Sequence, residues 1–154
     1  MSVDKAHMDP LISTYNSNEF FNSISHLLGT ILSLAGLIVL IVFASFEQKW
    51  LHVVAFSIYG ATLFLSFLAS TILHFDLLFN RYHRILGILD HCAIYLLIAG
   101  SYTPYCLIVL PDWLGWVIFG LVWGMALFNI TIKAIFFERI PAVVSTGSYI
   151  MMGW

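Results

Sequence analysis

The sequence predicts an all-α integral membrane helical bundle, with four complete transmembrane helices and part of a fifth. Three observations lead there. Of 154 residues, 61% are hydrophobic and 9% charged, with a mean hydropathy of +0.96. A soluble domain carries about a quarter charged residues, so this chain cannot cover a globular surface in water. The charges are also spaced as punctuation. None falls between Glu19 and Glu47, Lys49 and Asp76, Asp90 and Asp112, or Asp112 and Lys133. Each gap accommodates the roughly 20 residues that cross a bilayer as a helix. Finally, lipid offers unpaired backbone groups no partner, and these runs lack the alternation of barrel strands, so they must be helices.

Taken in order, residues 1–18 form a polar tail. Asp4, Lys5, Asp9 and Pro10 stand where a cleavable signal would have a basic leader, and the first apolar run begins only after Glu19. The transmembrane domain, 19–154, should hold helices near 21–45, 50–75, 87–109 and 113–136. A partial helix follows at 141–154, after Arg139 and Pro141. This last run, ending GSYIMMGW, has no polar flank and about 14 residues, too few to span. A fragment of a longer protein is the expectation. Short connections make sequence neighbours antiparallel. Pro104 should kink the third helix by freeing a carbonyl near Gly100, which Ser101 or Thr103 could satisfy. Cys92 and Cys106 lie in apolar runs and read as thiols rather than a disulfide.

Loop charges orient the bundle. Lys5, Arg81, Arg84, Lys133 and Arg139 fall on one side and only Lys49 on the other, which puts the N-terminus in the cytoplasm. Trp50, Trp113 and Trp116 then begin helices at the outer interface, where an aromatic belt belongs. A net charge of -2 without a Lys/Arg cluster excludes a nucleic-acid partner and leaves membrane lipid.

With that topology, costly polar groups converge near the cytoplasmic face. Glu19, Asn22 and His26 recur at i, i+3 and i+7 on the first helix; Thr62, Ser66, Ser70 and His74 recur every four residues on the second. Asp90 and His91 enter the third helix, and Asn129 nears the end of the fourth. Each has a plain alternative. The Ser66/Ser70 ladder can serve helix packing, and His26 can be a hydrogen-bonded interfacial residue. His7, His52 and His83 read as solvated. Asp90 inside an apolar run is the hardest to explain without function, because a carboxylate there needs a partner, water or a cation. His74 as a neutral imidazole beside Asp90 resembles half of a zinc-hydrolase arrangement. Asp90 would hold the reacting water, and Ser70 would orient the histidine or polarise a carbonyl. One good ligand is present rather than three. His26 and His91 are candidate substitutes, although Asp90 and His91, about 100° apart on a helix, cannot face the same point.

Three segments carry a resemblance: NEFFNSISHLLGTILSLAGL (Glu19, Asn22, His26, Gly29), STILHF (Ser70, His74) and LDHCAIYLLIAGSYTPY (Asp90, His91, Gly100, Tyr102, Pro104). In this order they are similar to the hemolysin III family, part of the progestin and adipoQ receptor superfamily that also resembles the alkaline ceramidases. The resemblance implies a seven-helix parent with a cytoplasmic N-terminus. It also implies a Zn2+ site in which His74 is a metal ligand, Asp90 holds the zinc-bound water, and Ser70 is a catalytic or orienting hydroxyl. The family's His-x-x-x-His of helix seven does not occur here, so the remaining ligands are expected beyond residue 154. A zinc-dependent hydrolase of lipid amides is the function this implies, in a plasma or bacterial inner membrane. The alternatives are a pore-forming cytolytic protein and a receptor-like bundle with structural zinc.

Overall fold

The computed structural model describes residues 10–46, 48–79, 82–110, 112–137 and 139–153. Among them the chain is helical, without strands. Helix α1 runs Pro10–Phe46, α2 Trp50–Phe79, α3 His83–Pro104, α4 Trp113–Phe136 and α5 Ala142–Gly153; a π-helical segment, Tyr105–Val109, continues α3. The spans near 21–45, 50–75, 87–109 and 113–136 fall inside these helices. Four stretches are long and apolar enough to cross a membrane: Asn18–Phe46, Trp50–Asp76, His83–Val109 and Trp113–Phe136. The chain is thus an integral membrane protein by length and composition. α1 takes in residues 10–18 of the polar tail. Pro10 opens it, a position where the missing N–H costs nothing; Lys5 and His7 lie outside the described residues.

The connections are short and locally closed. Between α1 and α2, Gln48 sits at φ 52, a left-handed conformation that non-glycine residues rarely take. Between α2 and α3, the Tyr82 N–H donates to both carboxylate oxygens of Asp76, at 3.1 and 2.9 Å. At Pro104 the helix widens instead of simply bending: the Leu110 N–H reaches the Tyr105 carbonyl, five residues back, at 3.1 Å. The expected hydroxyls point elsewhere. Ser101 donates to the Ile98 carbonyl and Thr103 to that of Ala99, and the Trp123 indole N–H of α4 donates to Thr103 Oγ1 at 3.1 Å.

The helices pack as an open row. α1 lies on α2, α2 on α3 and α3 on α4, with α5 against α3 and α4; among the described residues α1 touches neither α3, α4 nor α5. α3 is the hub: 44% of its spanning window is buried, against 11–17% in the other three. Lipid supplies no hydrophobic drive between helices, so the seams rely on small residues and hydrogen bonds. Gly100 lets α3 close on Thr62 of α2, and Thr30 of α1 and Thr71 of α2 share a buried bond of 3.0 Å. The core beyond α3 is Tyr95, Ala99, Val122, Ala126 and Met152. Elsewhere large apolar side chains point outward, among them Phe21, Phe43 and Val143, as a lipid-facing surface requires.

Candidate functional site

The stripe on α1 and the stripe on α2 meet. The Glu19 carboxylate lies 2.7 Å from His74 Nδ1, with the two side chains 13% and 20% exposed. An ionised carboxylate only accepts, so Nδ1 carries the hydrogen and Nε2 is left as the basic nitrogen. The His26 ring stacks on that of His74, centroids 5.1 Å apart and planes 18° from parallel. Among the described residues its buried Nδ1 has no hydrogen-bond partner. Ser23, one turn after Glu19, is fully buried and bonds the Glu19 carbonyl within α1 at 2.8 Å.

Asp90 is half-buried on α3. Ser70, also half-buried, stands one turn before His74 on α2. His91 turns away from this cluster. Its Nδ1 bonds the Gly87 carbonyl at 2.8 Å and its ring meets Phe137 edge-on. The structure therefore brings together Glu19, His26 and His74 and leaves His91 on the α4 side. Among the described residues no three His, Cys, Asp or Glu side chains form a group that could hold a metal ion. Cys92 and Cys106 are free thiols. His83 is exposed, whereas His52, read above as solvated, has a buried Nδ1 without a partner among the described residues.

A second polar cluster joins α3, α4 and α5. Lys133, counted above among the loop charges, lies inside α4 and is only 4% exposed. Its ammonium donates to Ser145 Oγ at 2.8 Å and sits over the Phe137 ring. Tyr95 OH and Ser148 Oγ share a bond of 2.6 Å, and Tyr149 OH donates to the His91 carbonyl at 3.3 Å. Asn129 turns back onto the Met125 carbonyl at 2.8 Å.

Sequence reasoning placed Glu19 on a stripe with His26 but did not pair it with His74. The signal was available: antiparallel neighbours set the start of α1 beside the end of α2. The Lys133–Ser145 contact had no comparable signal, since a lysine three residues from a helix end reads equally as solvated.

The family described as Haemolysin-III related matches residues 14–154. The chain is 44% identical over 143 residues to "Hemolysin-3" of Bacillus cereus, covering 93% of this chain and 64% of that one. It is 41% identical over 137 residues to "Hemolysin-3 homolog" of Bacillus subtilis (strain 168), covering 88% of this chain and 63% of that one. The chain thus spans less than two thirds of the length of these relatives. No solved structure matches it.

Proposed function

Because the chain belongs to the haemolysin-III family, we propose that the full-length protein is a zinc-dependent membrane hydrolase acting on an amide bond in a lipid. The observation that carries this is the Glu19–His74 pair, a histidine held by a carboxylate through Nδ1 at 2.7 Å with Asp90 near the same end of the row. Such a pair is the usual support of a metal-ligating imidazole. The unpartnered Nδ1 of His26 marks the same place as one with polar capacity to spare. His74 would be the metal ligand from this part of the protein and Asp90 would hold the reacting water, with Ser70 orienting the histidine or polarising the substrate carbonyl. A bound zinc would supply a water of pKa about 7. The other ligands would come from the part of the protein that the longer relatives possess.

The lipid substrate is supported by an apolar cleft of ≈ 290 Å³ between α2 and α3, lined by Leu65, Leu68, Ala69, Ile72, Leu89 and Cys92. Ile72 lies two residues before His74 and Leu89 one before Asp90, so the cleft sits at the depth of the polar groups. The N-terminus would be cytoplasmic, in a plasma or bacterial inner membrane.

The test is elemental analysis and lipid-amide turnover on detergent-purified full-length protein. Near one zinc per chain, lost together with turnover in His74→Ala, is the expected result. Ion flux through vesicles that persists in His74→Ala, with no bound zinc, would favour the pore to which the relatives' names point. Zinc and stability lost together, with no turnover to lose, would favour a receptor-like bundle.

A further inference from the structure

The geometry points to Glu19 as the positioning residue of His74: its carboxylate fixes the imidazole in the Nδ1–H tautomer and aims Nε2 at whatever the site binds. This rests on the metal-site reading for its ligand but not for its geometry. Two helices converge to make the contact. Glu19 sits one residue inside the spanning part of α1, and His74 lies near the end of that of α2. α1 packs on α2 over their length, so the pairing is set by helix register and not by a mobile loop. The Thr30–Thr71 bond, 11 residues on from Glu19, clasps the same seam.

The second observation is the ring stack. His26 covers one face of His74 at 5.1 Å, and its other side meets Phe67 at 6.1 Å. Between the carboxylate and the stacked ring, His74 loses both its freedom to flip and its freedom to rotate. A carboxylate on the distal nitrogen raises the basicity of a ligating imidazole, and removing such a partner typically weakens metal binding by about 10–100-fold. Glu19 touches neither the metal nor the substrate in this arrangement; it acts through His74.

The experiment uses full-length protein, with zinc affinity measured by competition against a chromophoric chelator and histidine tautomers by 15N NMR. Glu19→Ala should bind zinc about 10–100-fold more weakly at unchanged stoichiometry. Glu19→Gln, which keeps an acceptor oxygen, should recover most of that loss. Zinc affinity in Glu19→Ala within about twofold of the parent, outside that range, would overturn the assignment. Were the parent protein to hold no zinc, the hydrolase reading would fall, and the NMR arm alone would decide. His74 in the Nδ1–H form, passing to a mixture of tautomers in Glu19→Ala but not in Glu19→Gln, would sustain the positioning role. An unchanged His74 spectrum in Glu19→Ala would end it.

Discussion

Replacing Ser145 by alanine should destabilise the docking of α5 through Lys133. The ammonium is 4% exposed and its one hydrogen bond to a side chain among the described residues, 2.8 Å long, goes to Ser145 Oγ. Hydrogen bonds to charged groups are worth about 1.5–3 kcal/mol, and a buried donor stranded by the loss of its partner costs on that order. Membrane hydrogen bonds measured by double-mutant cycles average about 0.6 and reach about 1.7 kcal/mol. A charged, buried donor belongs at the upper end, so about 1.5 kcal/mol is expected, roughly a tenfold change in the folding equilibrium. Lys133→Met removes the charge while keeping an unbranched apolar stem, and should be close to neutral because no carboxylate is left behind. In the Lys133→Met background, Ser145→Ala should then cost little. The assay is a double-mutant cycle on denaturant unfolding in mild detergent, followed by tryptophan fluorescence. An equal effect of Ser145→Ala in both backgrounds would refute the reasoning, since the hydroxyl would then be stabilising something other than the ammonium.

Four further outcomes follow from the seams. Gly100→Ala places a methyl against Thr62 and should cost about 1–3 kcal/mol in the same unfolding assay; Thr62→Ala should restore part of it. Thr30→Val should cost about 0.6 kcal/mol, and adding Thr71→Val should cost less than the two singles summed. Gln48→Gly removes the strain of a side chain at positive φ and should raise stability by about 1 kcal/mol, read as a higher unfolding midpoint. Thr103→Val strands the Trp123 indole N–H, with an expected loss of about 1 kcal/mol and an altered Trp emission that Trp123→Phe abolishes.

Much of this was legible in the residues. The absence of charge from Glu19 to Glu47, and the corresponding gaps further on, could only be filled by spanning helices. The four-residue recurrence on α2 ends at His74, which meets Glu19 of α1, while Thr62 of the same stripe meets Gly100 of α3. Helix ends were less legible: α1 begins at Pro10 because a polar segment can extend a helix that the membrane has already nucleated. At Pro104 the missing N–H was foreseen. The chain answered it with a widened turn, which depends on how Leu110 meets Tyr105 and leaves no periodic trace. The site was half legible. Spacing put Glu19 and His26 on one face, but the distance to His74 depends on the depth at which two helices slide past each other, which no single helix encodes. His91 turns to the Gly87 carbonyl and the Phe137 ring, as its offset of about 100° from Asp90 allows.

The open row has a consequence for how the protein is made. Nearly every interhelical contact joins neighbours in the chain, and α5 on α3 is the one reach beyond the nearest neighbour among the described residues. Such a topology has low contact order, so little loop-closure entropy stands between one pairing and the next. Each helix has its partner next to it in the chain, so the row can assemble in order of synthesis. The Glu19–His74 contact needs only the first hairpin, so the orientation of the histidine does not depend on α3 or Asp90 being in place.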